Sequence, residues 1–276
     1  MRIALAQLDS VLGEVDANLA AMRELAAAAS AERADLVVFP ELSAHGYALG
    51  RITPPRCIPA TDPRLAALSD RGADVLVTFH EDAGLRAHNA AAYLSGRQVV
   101  HLQRKLYLPN YLAWEERKHS SPGQSLRAFD TLHGRMAVLI CNDAWQPPLP
   151  WLAAQDGAEI LLVPADSAAG LSDAVDTIEY WSALLAQIAR MQQCWVVFVN
   201  RVGTEDGARF WGGSRIVDPG GEVVAQAPLW EPALLTAEID VGAARRARRA
   251  LPLLAEARLG LVEQELRRLI ADGGDR

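Results

Sequence analysis

Apolar positions along this chain follow two rhythms. Short apolar runs with β-branched residues recur at Ile3 to Leu8, Leu36 to Phe39, Asp74 to Phe79, Met136 to Ile140, Glu159 to Val163 and Trp195 to Asn200, and they read as strands buried on both faces. The stretches between several of them repeat apolar residues at helical spacing. The first strand is followed by an Ala-rich helix from about Val15 to Glu32 and then by the second strand, a βαβ opening. Thr61-Asp62-Pro63 caps a helix through about Ser69, and Ala91 to Leu94 pairs with Val99 to Leu102 across Ser95-Gly96 as a hairpin. Further on, the pattern predicts a short helix Pro150 to Gln155 and a long helix Asp176 to Gln193. A hairpin follows, Ser214 to Val217 with Glu222 to Gln226 over Asp218-Pro-Gly-Gly221. Leu234 to Ile239 is a last strand, and a polar amphipathic helix from about Leu253 to Ile270 closes the chain. Helical crossovers and hairpins together predict two sheets packed on each other with helices outside, rather than one open parallel sheet.

Half of the 276 residues are hydrophobic, enough for a large core, and no linker divides them, so one domain over 1–276 is expected. The net charge of −7 is spread along the chain, which argues against nucleic acid or a membrane surface as the main partner. The basic cluster Arg245, Arg246, Arg248 and Arg249 reads as a solvated stretch entering the C-terminal helix. Cys57, Cys141 and Cys194 are an odd number without CxxC spacing, so neither a disulfide framework nor a zinc knuckle is expected. The six histidines lack metal-ligand spacing, and the seven tryptophans are too scattered for a nucleic-acid stacking platform. The N-terminal apolar run is too short for a signal peptide, and no segment reaches the ~18 apolar residues of a membrane span. The expectation is a cytoplasmic protein without metal or organic cofactor.

Chemistry collects at three strand ends. The run from Met136 delivers Cys141 into the polar turn Cys141-Asn-Asp-Ala-Trp145, Leu36 to Phe39 ends in Pro40-Glu41, and Val99 to Gln103 ends in Arg104-Lys105. A thiol, a carboxylate and an ammonium are the parts needed to open an amide through a thioester. Cys141 is the candidate nucleophile, and Glu41, held where an apolar strand ends, the candidate base for the thiol and later for water. Lys105 and the backbone N–H of Asn142 would stabilise the oxyanion, a donor whose removal typically costs ~10²–10³ in rate. Cys194 reads as core, and Cys57 as a loop thiol without a role.

These residues resemble the nitrilase superfamily of carbon–nitrogen hydrolases. The resemblance rests on Phe39-Pro-Glu41-Leu-Ser-Ala-His-Gly46-Tyr47, Arg104-Lys105-Leu-Tyr-Leu-Pro109 and Leu139-Ile-Cys141-Asn-Asp143, in the family's order. Supporting matches are Asn89, Asn200-Arg-Val-Gly203, Gly212-Gly-Ser214 and Asp218-Pro-Gly-Gly-Glu222. The resemblance implies an α-β-β-α sandwich, a Glu41-Lys105-Cys141 triad, and assembly as a homodimer or higher homo-oligomer.

Lys105-Leu-Tyr-Leu-Pro-Asn-Tyr111 and Glu115-Glu-Arg117 are most similar to the glutaminase domains of glutamine-dependent NAD synthetases. That similarity implies a second glutamate, Glu116, eleven residues after Lys105, that orients the lysine or the substrate amide, with Glu115 its neighbouring competitor. It also implies that Tyr47 and Tyr111 line the pocket, while Trp145 and Asp143 shape or brace the nucleophile turn. Two positions depart from the pattern. Asn142 stands where the glutaminases usually carry a Glu that holds the substrate's α-amino group, and Asp166, in Pro164-Ala-Asp166-Ser167, changes the polarity of the pocket wall. With no synthetase segment before Arg276, a stand-alone amidase is expected, releasing ammonia from a small primary amide. The alternatives are an N-carbamoyl hydrolase, with Arg190 and Arg201 as candidate clamps for a substrate carboxylate, or an ammonia-supplying glutaminase subunit of a separate synthetase. A catalytically silent binding subunit conflicts with the intact triad.

Overall fold

Strand β1 (Arg2–Gln7) turns Ile3 and Leu5 to one side and Ala4 and Ala6 to the other, and both sides are covered. Burial on both faces is the reason the run is apolar nearly throughout. The computed structural model describes residues 1–54, 56–112, 114–170 and 176–274. Helix α1 (Val15–Ala31) returns the chain to β2 (Leu36–Val38). The short α2 (Pro63–Ala66) follows, its first turn capped by Asp62, whose carboxylate accepts from the Arg64 N–H. Next comes a meander of β3 (Asp74–Asp82), β4 (Ala87–Ser95) and β5 (Gln98–Arg104).

The second half runs β6 (Phe129–Thr131), β7 (Gly134–Val138), α3 (Pro148–Gln155), β8 (Ile160–Ala165), β9 (Ala168–Ala169) and α4 (Thr177–Gln192). It continues through β10 (Trp195–Asn200), β11 (Val202–Glu205), β12 (Ala208–Trp211), β13 (Arg215–Val217), β14 (Val223–Gln226) and β15 (Ala233–Glu238) to α5 (Gly242–Ala250) and α6 (Leu259–Ala271).

One six-stranded sheet has the order β15-β1-β2-β3-β4-β5 and the other β14-β13-β10-β8-β7-β6, while β11-β12-β9 form a small third sheet. In each large sheet the three central strands are parallel, β1-β2-β3 and β7-β8-β10, and the flanking strands antiparallel. Ile3, Leu5, Val38, Leu76, Tyr93 from the first sheet and Met136, Val138, Leu162, Val197 from the second make the core between them. Helix α1 covers the outer face of the first sheet through Leu19, Met22 and Ala26; α3 and α4 cover the second through Ala153, Trp181, Leu185 and Ile188. The fold is therefore the expected α-β-β-α sandwich with two mixed sheets. Among the described residues no helix is long and apolar enough to cross a membrane.

Three expectations need correction. The meander hairpin is longer than its apolar stretch, because β4 begins at Ala87. The hairpin β11–β12 is absent from the sequence reading, although its turn residues Asp206 and Gly207, both at positive φ, are the ordinary two-residue signal. The expected C-terminal helix is present as α6 but begins later, at Leu259, and an unexpected helix, α5, precedes it, built by the basic cluster expected to be a solvated lead-in. Arg245 pairs with Glu159, and Arg248 donates to the carbonyls of Ala158 and Gln192, so that α5 is fastened to the end of the second sheet. Helix α6, by contrast, has no buried residue.

Candidate active site

β2 stops at Val38, the Phe39 N–H still donates to Leu76 of β3, and the chain turns at once after Glu41, with Leu42 at φ +44°. This leaves the Glu41 carboxylate fully buried between the sheets' ends. Its Oε1 accepts from Asn89 Nδ2 at 2.7 Å and from Lys105 Nζ at 2.6 Å, while Oε2 accepts from the Asp166 N–H at 3.0 Å. Lys105 follows β5, and its N–H donates to the Asn89 carbonyl, continuing the ladder by one step. Its ammonium, also fully buried, lies 2.6 Å from Glu116 Oε1 as well. Tyr47 donates its hydroxyl to that same oxygen.

Cys141 follows β7 with φ +48°, a left-handed conformation that a residue with a Cβ rarely takes. The next residues coil into a single helical turn, and Asp143 holds it. Its carboxylate accepts from Leu106 N–H at 3.0 Å, Tyr107 N–H at 2.8 Å and Ile140 N–H at 3.3 Å, tying the thiol's turn to the chain just after Lys105. The N–H groups of Asp143, Ala144 and Trp145 are taken by carbonyls within the turn, but among the described residues that of Asn142 has no acceptor. A free N–H beside a thiol and an ammonium is what an oxyanion requires.

Burial governs the ionisation of the cluster. It pushes the Cys141 thiol well above its ordinary range, Glu41 adding to the effect and Lys105 opposing it. Burial works against the Lys105 ammonium, but the charges of Glu116 and Glu41 outweigh it and hold the lysine's pKa well above the usual value. Glu116 is raised to about 7 by burial, with Lys105 opposing and Glu41 reinforcing. Asp143 is likewise pushed to about 7 by burial, against the Tyr107 N–H.

A cavity of about 240 Å³ opens in front of Cys141, lined by Tyr47, Pro109, Tyr111, Leu112, Trp145 and Trp181 among others. Tyr47 and Trp114, edge to face at 4.8 Å, separate it from a second cavity of about 470 Å³ beside Arg51, His119 and Asp206.

The residues singled out from the sequence gather here with some differences. Glu116 is buried against Lys105, whereas Glu115 is exposed and pairs with Lys118, which settles the competition between them. Tyr111 reaches Asn142 Oδ1 at 3.4 Å, and Asn142 donates to the Tyr107 carbonyl at 3.1 Å, so the Asn142 side chain braces the loop over the cavity. Asp166 lines the cavity, but its carboxylate is fully buried and faces Arg201 Nη1 at 3.8 Å; the residue serves Glu41 through its backbone. Arg190 is on the surface with Glu222 and the Gly220 carbonyl, away from the cavity, and cannot clamp a substrate there. Arg201 is buried and held by Glu205 at 2.9 Å and Asp9 at 3.1 Å. Cys194 is core, as read, and Cys57 lies 3.4 Å from His80 Nδ1.

Two partners of the cluster escaped sequence reasoning. Asn89 figured only as a motif match, and Glu205, whose Oε1 accepts from the N–H groups of Tyr47 and Ala48, lay in the unrecognised hairpin. Among the described residues no group of three His, Cys, Asp or Glu side chains could hold a metal.

The carbon-nitrogen hydrolase family model matches residues 2–249, and the chain belongs to that family, the nitrilase superfamily. A glutamine-dependent NAD(+) synthetase of Acinetobacter baylyi is 30% identical over 244 residues, which are 87% of this chain and 44% of that protein. The chain thus spans less than half the length of this relative. An N-carbamoylputrescine amidase of Solanum tuberosum is 27% identical over 83% of this chain and 82% of its own. Among solved structures, an amidase of Nesterenkonia sp. AN1, carrying acrylamide added to its active-site cysteine, superposes with a TM-score of 0.82 at 25% identity, over 96% of this chain and 99% of that one.

Proposed function

We propose that the chain hydrolyses a small primary amide to a carboxylic acid and ammonia through a thioester on Cys141. The observation that carries this reading is the fully buried Lys105 ammonium, 2.6 Å from Glu41 and from Glu116, beside a left-handed cysteine that opens into a cavity. Glu41 takes the Cys141 proton as sulfur bonds to the carbonyl carbon. The oxyanion that forms is met by the Asn142 N–H and Lys105. Glu41 returns the proton to the departing nitrogen, the C–N bond breaks, and ammonia leaves. Water then enters, gives a proton to Glu41 and adds to the thioester, and the acid departs as the proton returns to sulfur.

The raised thiol pKa makes this base necessary, since little thiolate exists at neutral pH before substrate arrives. Glu116 and Tyr47 aim Lys105 from behind. The amidase likeness, to a protein with an active-site cysteine, supports the same chemistry. The reading includes a cytoplasmic homodimer or larger homo-oligomer.

Ammonia release from a panel of small amides, ω-amides and N-carbamoyl amino acids, with Cys141→Ala as blank, tests the proposal. Intact mass spectrometry should find an acyl group on Cys141. Release that persists in the variant would refute it, and preference for the N-carbamoyl compounds would replace the amide by the carbamoyl reading.

A further inference from the structure

The second cavity, of about 470 Å³, lies behind the wall made by Tyr47 and Trp114 and has no part in the proposed reaction. Glu116 lines this cavity and not the one in front of Cys141. Its Oε1 is taken by Lys105 and Tyr47, but among the described residues its Oε2 is buried without a hydrogen-bond donor, on a residue only 5% exposed. Glu205 reaches the same cavity. Its Oε1 accepts from Tyr47 and Ala48, while Oε2 lies 2.9 Å from Arg201 Nη1 without the alignment of a hydrogen bond. Rings complete the lining, Tyr47 meeting Trp114 at 4.8 Å and Phe210 at 6.3 Å between ring centres.

Charge counting gives the cavity its sign. Four buried carboxylates, Glu41, Glu116, Asp166 and Glu205, share two buried cations, Lys105 and Arg201. A buried carboxylate short of a counter-charge takes a proton or takes a cation. Burial, reinforced by Glu41, holds both Glu116 and Asp166 above the ordinary carboxylate range. The groups at the cavity's mouth do not make up the shortfall. Arg51 donates to both oxygens of Asp206, Lys118 pairs with Glu115, and the His119 ring packs against Gly50.

We propose that the second cavity is a binding site for a small primary ammonium ion, its charged head donating to Glu116 Oε2 beside Glu205 and its alkyl part lying against Tyr47, Trp114 and Phe210. An ammonium brings three donors and no acceptor to carboxylate oxygens that lack donors, and aromatic faces attract a cation. A carboxylate ligand would meet Glu116 and Glu205 with like charge, and a neutral alcohol would leave the surplus charge in place. The site stands apart from the cysteine cavity and holds whether or not Cys141 is a nucleophile.

Isothermal titration of the native chain with butylammonium, butanol and butyrate, at matched ionic strength, tests the proposal. Butylammonium should bind saturably and roughly tenfold or more tighter than the other two. Ala208→Trp, which puts a ring into the cavity from β12, should abolish that binding. Trp114→Leu only removes a ring from the wall and should weaken it by roughly threefold or more, which decides the matter if the bulkier variant does not fold. Capping Cys141 with iodoacetamide, verified by intact mass, should leave it unchanged. No saturable binding of butylammonium, equal binding of butanol or butyrate, or native affinity in either folded variant would overturn the proposal. Loss of binding on capping would put the cation in front of Cys141 and overturn it as well.

Discussion

The backbone N–H of Asp166 donates to Glu41 Oε2 across 3.0 Å, joining the chain after β8 in one sheet to the chain after β2 in the other. Glu41 is thereby gripped from both sheets, with Asn89 and Lys105 on its other oxygen. A carboxylate so held has little freedom to turn away from the thiol. Its orientation is a property of how the sandwich closes.

Replacing Lys105 with Met should unfold the protein more easily as well as silence it. The ammonium is the counter-charge of two buried carboxylates, and removing one partner of such a cluster costs about 3–5 kcal/mol. Urea unfolding should show the loss; a variant as stable as the native chain would mean that water already reaches Glu41 and Glu116.

Glu205→Gln should lower kcat without any contact between residue 205 and the substrate. Glu205 holds the N–H groups of Tyr47 and Ala48 and pairs with Arg201, so its charge fixes the tyrosine that donates to Glu116. A stability loss of about 1–3 kcal/mol is expected for the weakened buried partners. Unchanged kcat in a destabilised variant would confine Glu205 to folding.

The pH dependence follows from Glu116, whose pKa is raised by burial to about 7. Below that pH it carries a proton and loses the charge that aims Lys105, so kcat/KM should fall as pH drops through about 7. Stability moves the opposite way. A folded pKa above the ordinary 4.5 means that the native chain holds a proton the unfolded chain releases, and this contribution is lost as pH rises from about 4.5 through 7. Glu116→Gln should remove the Glu116 share of both trends and leave that of Asp143, whose pKa burial also raises to about 7, and pH profiles of rate and of thermal midpoint, taken on the same samples, would check the pair.

Asp143→Asn should loosen the nucleophile turn. One carboxylate accepts three backbone N–H groups, and an amide brings one oxygen and an unwanted donor to the same place. A loss of about 1–3 kcal/mol is expected, with slower alkylation of Cys141 by iodoacetamide if the turn also orients the thiol. Native stability in the variant would show that Asp143 holds the turn less firmly than its bonds indicate.

The parts of the fold that could be read from sequence are those whose signal is local. Buried strands such as Ile3 to Leu8 and Trp195 to Asn200 announce themselves by composition, and Glu41, Lys105 and Cys141 each stand where such a run stops. Long-range partners were not legible. Nothing near Arg248 indicates that its guanidinium reaches the carbonyls of Ala158 and Gln192, so an arginine-rich segment that fastens α5 looked like solvated surface. Asp166 was placed at the site, but only the structure turns its carboxylate to Arg201 and its N–H to Glu41. The β11–β12 hairpin, and with it Glu205, was within reach through Asp206-Gly207.

Position 141 sets the fold at odds with its own comfort. At φ +48° a glycine would rest more easily than a cysteine, by roughly 1–3 kcal/mol, so the main chain is held under tension there whether or not a substrate is bound. A chain screened for folding alone would drift toward glycine at that position and lose the proposed nucleophile without any outward sign of damage. Engineering for thermal robustness should therefore leave this one turn untouched, since the change that most relaxes it is also the one that removes the thiol on which the proposed chemistry depends.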